Sequence, residues 1–342
     1  MRQVEKIPSS MRAVQMIGRG DYDQLVIAND VLVPTPGAGE VLIRVGAAGV
    51  NNTDINTRIG WYGPDTGWSG AVQEFPRIQG ADACGEIVAT GSGVNEQRRG
   101  ERVLVEPVFI DPAGTISYFG SEVNGAFADY AVVPAQHAHR IDSTLSDVEL
   151  ASFPCSYSAA ENMVVRTGVS AGARVLVTGA SGGVGSAAVQ LAHRRGAEVV
   201  AVAGADKHAA VRAIGAAEVI DRDESLVQHF GAASFDVVLD VVGGPVWPAL
   251  LEVLRPRGRY AVAGAIAGAD VSLDLRVLYL KDLQLIGCTT LDAGVFAGLV
   301  AAIERGEVRP LVAATFALED IVAAQELFLS KRHVGKIVLN CR

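Results

Sequence analysis

The sequence predicts an α/β protein with two domains: a doubly wound parallel sheet in the middle of the chain and a β-rich domain built from both ends. Three observations support this prediction. A glycine-rich turn lies midway along the chain, short strand-like runs broken by proline and glycine precede it, and an isolated apolar run ends the sequence. With 342 residues, the chain is long enough for each domain to have its own core.

The stretch Val175 to Val189, VLVTGASGGVGSAAV, has the pattern of the strand, tight turn and helix of a dinucleotide-binding unit. In this interpretation Gly182 lets the backbone approach a pyrophosphate, and Gly185 lets the helix pack closely on its strand. Free N–H groups at the start of the helix attract the anion. Ala180 replaces the first glycine of G-x-G-x-x-G, and the glycines alone leave a plain loop as the alternative.

Three later segments favour the doubly wound fold. Glu198 to Ala203 predicts a second strand that ends at Gly204, where the ribose-binding position belongs. Phe235 to Val242 and Gly258 to Gly264 are short, rich in valine and alanine, and bounded by glycine. Such runs are typical of parallel strands that are buried on both faces.

The turn also fits a rival pattern. Thr178 to Gly185 matches T-G-x-x-x-G-x-G, the turn of short-chain dehydrogenases, whose chemistry needs a Tyr-x-x-x-Lys pair. None of the seven tyrosines is followed by lysine four residues later, and a long segment precedes the turn. That segment, Met11 to about Ile141, contains the strand-like runs Met11 to Ile17, Leu25 to Val33 and Glu40 to Val45, so it predicts a separate β-rich domain.

A capping-box pattern marks the expected junction between the domains. Ser146 is followed three residues later by Glu149, at the start of a segment with helical spacing. The last apolar run, Gly335 to Leu339, is separated from the central strands, so it most simply returns to the first domain. We therefore expect one domain from residues 1–149 with 291–342, and a dinucleotide-binding domain from residues 150–290.

Composition limits the classes of partner. The formal charge of −9 argues against binding nucleic acid or an anionic membrane through a general basic surface. The N-terminus, MRQVEKIPSS, lacks the apolar core of a signal peptide, so we expect a cytoplasmic protein. The cysteines are too few and scattered for a disulfide framework, and no C-x-x-C pair suggests a metal site. They are Cys84, Cys155, Cys288 and Cys341.

Four segments carry a family resemblance: GVNNTD (Gly49 to Asp54), GADACGEIVATGSGV (Gly80 to Val94), GASGGVG (Gly179 to Gly185) and HVGKIVL (His333 to Leu339). With the order of the domains, they resemble the medium-chain dehydrogenase/reductase superfamily along essentially the whole chain. The sequence is most similar to its zinc-independent quinone oxidoreductase branch, which reduces quinones and activated alkenes with NADPH. This resemblance implies a split GroES-like catalytic domain around a central Rossmann domain.

The resemblance also allows a comparison of zinc ligands. At the three positions where zinc alcohol dehydrogenases bind catalytic zinc, this sequence has Asn51, Ala81 and Cys155. One ligand of three remains, whereas zinc needs about three protein ligands and water. Asp82 or Asp54 could join it, but we expect no metal and interpret Cys155 as a core thiol. The structural zinc lobe is also absent, because residues 106–127 contain no cysteine.

Without a Lewis acid, oxidation of an ordinary alcohol loses its main alkoxide stabilisation, so an activated acceptor suits the site better. Hydride addition to an enone or quinone produces an oxyanion that hydrogen-bond donors stabilise. We predict Asn51 and Tyr62 as these donors, although an Asx turn is the alternative for Asn51. We predict Thr53, Trp61 and Tyr157 in the substrate pocket. The alternatives are a packed surface loop for Trp61 and Tyr62, and an ordinary helix start for Tyr157.

We expect the cofactor to be NADP(H), because Gly204 supplies no carboxylate to repel a 2′-phosphate, and Lys207 and Arg222 can reach that corner. Asp206 argues against this choice, since a shift of two residues would make it the ribose acceptor. The predicted cofactor-binding residues are Ser158, Ala180, Ser181, Gly182, Gly183, Val184, Gly185, Gly204, Lys207, Arg222, Val242, Gly264 and Thr289.

The predicted function is therefore an NADPH-dependent, zinc-free reductase of quinones or α,β-unsaturated carbonyls. Two alternatives remain: an alcohol dehydrogenase of the same superfamily, zinc-dependent or not, and a non-catalytic NADPH-binding protein of the zeta-crystallin type. The expected partners are a small-molecule substrate and a second copy of the chain. The resemblance implies a homodimer through an edge strand of the Rossmann sheet, for which Asp282 to Thr290 is the candidate, with a buried internal strand as the alternative.

Overall fold

The computed structural model describes residues 6–63, 72, 74–111 and 113–342. The strands are β1 (Ser10–Met16), β2 (Leu25–Leu32), β3 (Glu40–Val50), β4 (Arg77–Ile78), β5 (Cys84–Thr90), β6 (Arg102–Val105), β7 (Val108–Ile110), β8 (Ile116–Tyr118), β9 (Tyr130–Pro134), β10 (Ala138–Arg140), β11 (Arg174–Val177), β12 (Glu198–Ala203), β13 (Glu218–Asp221), β14 (Phe235–Asp240), β15 (Leu254–Val262), β16 (Gln284–Gly287), β17 (Val312–Ala317) and β18 (Lys336–Asn340).

The α-helices are α1 (Asn52–Arg58), α2 (Asp147–Leu150), α3 (Pro154–Arg166), α4 (Gly183–Arg194), α5 (His208–Ala213), α6 (Leu226–Phe230), α7 (Trp247–Glu252), α8 (Leu275–Leu280), α9 (Val295–Glu304) and α10 (Ile321–Ser330). Among the described residues, no helix combines the length and the apolar character needed to cross a membrane.

The chain divides into two compact units. The first contains Met1–Cys155 and Pro310–Arg342, and the second contains Ser156–Arg309. The second unit therefore extends beyond residue 290, where we expected it to end. The reason is helix α9, whose apolar face, including Leu299 and Ile303, is buried. In addition, the backbone N–H of Arg309 donates to Oε1 of Gln190 in α4.

The first unit is rich in antiparallel strands. Its main sheet has the order β10-β6-β5-β3-β18-β17, with β9 also paired to β3, and a smaller sheet has the order β2-β1-β4. The last strand of the chain, β18, pairs antiparallel with β3, with Ile337 opposite Val50. The return of the C-terminal strand to the first domain is thus confirmed. Apolar side chains of both chain segments, such as Ile43, Phe127 and Ile337, share one core.

The second unit contains a parallel sheet of six strands in the order β13-β12-β11-β14-β15-β16. This is the doubly wound order: the chain adds β12 and β13 on one side of β11 and then β14, β15 and β16 on the other, and all six strands stay parallel. The inner strands are buried on both faces, as their valine-rich sequences predict; all six residues of β14 are buried. The predicted α/β fold class, a GroES-like domain with a Rossmann domain, is confirmed.

Candidate functional site

The glycine-rich turn connects β11 to α4 in the second unit. Gly179 has φ +57°, which favours glycine, and a Cβ on Gly185 would collide with the carbonyl oxygen of Gly179. Helix α4 can therefore approach the turn closely only because Gly185 has no side chain. A Cβ on Gly182 would meet nothing closer than 3.5 Å, so the protein leaves space above this residue.

The start of α4 fits an anion. Gly182 is its N-cap and provides no side-chain acceptor, and the first turn contains no acidic residue. The first N–H groups of an α-helix have no acceptor within the helix. They are suited to phosphate oxygens, and the helix dipole favours negative charge there. The turn that is predicted to bind a pyrophosphate therefore leads into a helix start that suits an anion.

Asp240, which the sequence analysis did not select, stabilises the end of the sheet beside this turn. Its carboxylate is fully buried and accepts hydrogen bonds from Thr178 Oγ1 and Tyr260 Oη, both at 2.5 Å, and from the backbone N–H groups of Val242 and Gly243. Burial and the Asp240 carboxylate raise the pKa of Tyr260. The available signal was an aspartate at the carboxyl end of a strand that is rich in buried apolar residues.

Most of the predicted cofactor residues follow the carboxyl ends of neighbouring strands. Residues 180–185 follow β11, Gly204 follows β12, and Val242, Gly264 and Thr289 come after β14, β15 and β16. Since these strands are parallel, their carboxyl ends lie at one edge of the sheet, where doubly wound folds bind ligands. Ser158 differs, because it lies in α3 and is buried.

The corner expected to hold the ribose contains charges of both signs. Ala203 in β12 pairs with Asp221 in β13. The next residues, Gly204 and Arg222, therefore lie next to each other where the two strands end. Lys207 lies in the short 3-10 turn after Gly204. The carboxylate of Asp206 is also there, with Oδ1 3.0 Å from the position that a Cβ on Gly204 would occupy.

Tyr157 is buried inside the second unit and, contrary to our prediction, does not line a substrate pocket. Its hydroxyl donates to the carbonyl oxygen of Arg309 at 2.8 Å and accepts from Gln190 Nε2 at 2.8 Å. Only 1% of the residue is exposed, and burial raises the pKa of its phenol. We therefore withdraw Tyr157 from the substrate pocket, since its hydroxyl connects α3 to the end of the unit.

Asn51 lies in a buried polar cluster of the first unit. Its Nδ2 donates to Asp82 Oδ2 at 2.7 Å and to the carbonyl oxygen of Gly49, and its Oδ1 accepts from Lys336 Nζ at 2.5 Å. Asn51 is also the N-cap of α1. Its amide thus has partners on both atoms, which corrects our prediction of Asn51 as a donor to substrate. Lys336 was not among the predicted site residues.

Asp54 lies beside this cluster and is also buried. Its carboxylate accepts hydrogen bonds from the backbone N–H groups of Asn51 at 2.7 Å and Gly80 at 3.2 Å. Burial is the main cause that raises the pKa of Asp54, to about 7, and the neighbouring Asp82 adds to the effect. The two N–H groups and Lys336 act in the opposite direction.

Tyr62 retains the chemistry expected of a donor. Its hydroxyl oxygen accepts a hydrogen bond from Asn56 Nδ2 at 3.3 Å, which leaves the phenolic hydrogen able to donate elsewhere. Asn56 follows Thr53 by three residues in α1, so the two lie on the same helix face. Thr53 and Tyr62 are partly exposed, and Trp61 is 49% exposed.

The three positions compared with zinc ligands contain an amide, a methyl group and a thiol. Ala81 has no donor, Asn51 accepts from an ammonium group, and burial together with Asp82 raises the pKa of the Cys155 thiol, whereas zinc binds the thiolate. The backbone N–H of Cys155 donates to Asp82 Oδ1 at 2.5 Å. Within the described ranges, no group of three or more His, Cys, Asp and Glu side chains is arranged to hold a metal ion.

Two protein families match this chain. The family described as "Alcohol dehydrogenase GroES-like domain" matches residues 37–143, and the family described as "Zinc-binding dehydrogenase" matches residues 183–305. The two matches fall in the two structural units. The name of the second family describes its members in general, whereas the ligand positions of this chain contain Asn51, Ala81 and Cys155.

Full-length relatives agree with these matches. The acryloyl-coenzyme A reductase of Metallosphaera sedula is 30% identical, over 96% of this chain and 99% of that protein. The quinone oxidoreductase of Rattus norvegicus is 28% identical, over 96% and 97%. The crystal structure of a proposed alcohol dehydrogenase from Sinorhizobium meliloti 1021 is 46% identical and superposes with a TM-score of 0.93, over 99% of both chains. The chain is an oxidoreductase of the medium-chain dehydrogenase/reductase superfamily, in its quinone oxidoreductase-like branch, and binds a nicotinamide cofactor.

Proposed function

We propose that the protein is an NADPH-dependent reductase that transfers hydride to an activated acceptor, an α,β-unsaturated carbonyl compound or a quinone, without zinc. One observation carries the proposal. The Lys336 ammonium donates hydrogen bonds to Asn51, at one of the three positions compared with zinc ligands, and to Asp82. A fixed positive charge there opposes a divalent cation. A substrate that needs a Lewis acid is therefore disfavoured, and one that is already conjugated is favoured.

The residues of the second unit would bind the cofactor. The first turn of α4 would receive the pyrophosphate, with Gly182 leaving room for it, and Asp240 would keep the adjacent strand ends in place. The bound nicotinamide supplies the hydride, and orientation and exclusion of water are the tasks of the protein.

In the first unit, Tyr62 would stabilise the oxygen of the acceptor. Hydride addition to the conjugated carbon moves negative charge to the carbonyl oxygen, where a donor is most effective. Because Asn56 donates to the Tyr62 oxygen, the phenolic O–H is left to point at that charge. Thr53, on the same face of α1, and the exposed indole of Trp61 would contact the rest of the substrate.

The names of the relatives support this chemistry. Acryloyl-coenzyme A is an α,β-unsaturated thioester, and a quinone is a conjugated dicarbonyl, so both named substrates accept hydride at a conjugated position. The test therefore includes acceptors of both classes.

The test is turnover of a panel of enones, an enoyl thioester and quinones by the purified protein, with NADPH and NADH. The same preparation is tested with primary alcohols and NADP⁺, and its zinc content is measured. Reduction of a conjugated acceptor with less than stoichiometric zinc supports the proposal. Alcohol oxidation that is lost with one zinc per chain would instead support the alcohol dehydrogenase, and cofactor binding without any turnover would support the non-catalytic alternative.

We also propose that two copies associate through the outer edge of the parallel sheet. Strand β16 ends the sheet and pairs only with β15 in the described part of the chain. Helix α8 buries none of its residues, and Leu275, Tyr279 and Leu280 are each more than 60% exposed. A second copy would both pair the outer strand edge and cover this apolar face.

A further inference from the structure

Lys336 is a buried lysine whose ammonium has a complete set of acceptors. It is 2% exposed and begins β18. Its Nζ donates to the carbonyl oxygen of Val50 at 3.0 Å, to Asn51 Oδ1 at 2.5 Å and to Asp82 Oδ2 at 2.8 Å. An ammonium group has three N–H donors, so each is used. A buried ammonium group that lacked such partners would be costly.

These partners belong to different elements. Val50 ends β3 and Asn51 caps α1, whereas Asp82 precedes β5. Asn51 Nδ2 also donates to Asp82 Oδ2, so Lys336, Asn51 and Asp82 form a closed triangle of hydrogen bonds. The other oxygen of Asp82 accepts from the N–H of Cys155, in the first turn of α3. One ammonium group therefore connects the C-terminal strand with the point where β3 turns into α1.

Helix α1 needs such a connection. It has seven residues, and a helix of that length is not stable by itself in water. Its start is fixed by the Lys336 triangle and by the bond from the N–H of Asn51 to Asp54. The residues that follow include Thr53 and Asn56, and Asn56 binds the Tyr62 hydroxyl.

We propose that Lys336 is a positioning residue, which fixes the first turn of α1 through Asn51 and Asp82 and thereby orients Asn56 and Tyr62. This inference rests on the proposed function only for the role of Tyr62 in the reaction. Lys336 does not touch the substrate, because its three donors are used inside the protein.

The test compares Lys336→Met, Lys336→Arg and the double variant Lys336→Met/Asp82→Asn, which removes both charges and remains usable if the single variant does not fold. Lys331→Met, at an exposed lysine after α10, is the matched control. Hydrogen exchange of peptides covering residues 50–62 is measured first. We expect faster exchange in Lys336→Met and in the double variant, partial protection in Lys336→Arg, and no change in Lys331→Met. Wild-type exchange in both charge-removing variants would overturn the proposal, whether or not the protein reduces any enone.

The kinetic part uses the acceptor that the wild type reduces. A displacement of about 1 Å at a catalytic group can cost about 10²-fold, so we expect kcat to fall by roughly 10- to 100-fold in the double variant while the Kd of the cofactor stays unchanged. Adding Tyr62→Phe should then lower kcat by less than a further twofold, because Lys336 acts through Tyr62. A purely structural role predicts lower thermal stability with wild-type kcat, and independent, multiplicative losses would also overturn the proposal.

Discussion

The Lys336 ammonium lies 2.8 Å from Oδ2 of Asp82, and at most 2% of either side chain is exposed. A buried charge that loses its partner costs about 3–5 kcal/mol. We therefore expect Lys336→Met to lower the free energy of unfolding by about that amount in urea denaturation. The exposed control Lys331→Met loses a cation–π contact with Phe328 and should change it by less than about 1 kcal/mol. A similar small loss for both variants would mean that the pair does not stabilise the fold.

A second prediction concerns the pH dependence of stability. The pKa of Asp54 is raised from 3.8 to about 7, mainly by burial, so between these pH values the folded protein holds a proton that the unfolded chain has lost. The contribution of Asp54 to the free energy of unfolding is therefore fully present below pH 3.8. It is lost as pH rises through about 7, and the total loss is roughly 4 kcal/mol.

The measurement is urea unfolding of the wild type and Asp54→Asn at a series of pH values that spans both pKa values. The amide introduced by Asp54→Asn cannot titrate. As pH rises, the wild type should therefore lose unfolding free energy relative to the variant. The exposed Asp30→Asn variant serves as control and should follow the wild type. A constant difference between wild type and Asp54→Asn would contradict the raised pKa.

The glycine-rich turn and the surroundings of Asn51 show what the sequence could predict and what it could not. The turn from Val175 to Val189 is local: its apolar run and its glycines indicate the strand, the tight turn and the helix within fifteen residues, so the Rossmann domain can be predicted from the sequence. The role of Asn51 is not local. Its partners Asp82 and Lys336 are 31 and 285 residues away. The pairing of β3 with β5 brings Asp82 to Asn51, and the pairing of β3 with β18 brings Lys336 there.

Tyr157 was misassigned for a related reason. A tyrosine near a helix start has the same sequence appearance whether its hydroxyl faces a pocket or the interior. Its partners, Gln190 and the carbonyl oxygen of Arg309, come from distant segments, and they decide the outcome. Conversely, Asp240 could have been selected, because a carboxylate at the end of a buried strand needs partners.

The third prediction tests Tyr62. We expect Tyr62→Phe to lower kcat on an enone by on the order of 10²-fold with little change in cofactor affinity, because an oxyanion donor acts mainly in the transition state. Asn56→Ala should lower kcat less, since it removes only the bond that orients the phenol. Tyr118→Phe, in the β7–β8 hairpin, is the matched control and should retain wild-type kcat. Retention of wild-type kcat by Tyr62→Phe would exclude it as the donor.

The fourth prediction concerns the sheet edge. Leu280 is 71% exposed on α8, so a charge there would be buried against the partner in a dimer built on this face. We expect the wild type to elute as a dimer in size-exclusion chromatography with light scattering, and Leu280→Asp to shift it toward monomer. Leu32→Asp, at a residue 79% exposed in β2, should remain dimeric. A monomeric wild type, or a dimer that both variants retain, would refute association through α8.

The last prediction is a preference for NADPH over NADH. Gly204 and Arg222 follow paired residues of neighbouring strands, and Lys207 lies in the turn after Gly204, so two cationic residues lie at the corner predicted for a 2′-phosphate. Hydrogen bonds involving charged groups contribute about 1.5 to 3 kcal/mol, so one such contact should favour NADPH by roughly tenfold or more in kcat/KM. The Lys207→Ala/Arg222→Ala variant should lose this preference, whereas Lys331→Ala/Arg332→Ala should keep it.

Asp206 provides the decisive comparison, because its carboxylate lies beside Gly204, where it can either repel the phosphate or accept the ribose hydroxyls. If the two cations dominate, Asp206→Asn removes a repulsion and raises kcat/KM for NADPH with little effect on NADH. If Asp206 is the ribose acceptor, the wild type prefers NADH, and Asp206→Asn lowers kcat/KM for NADH. The second pattern would refute the assignment of NADPH, because the carboxylate would then outweigh Lys207 and Arg222 at the same corner of the sheet.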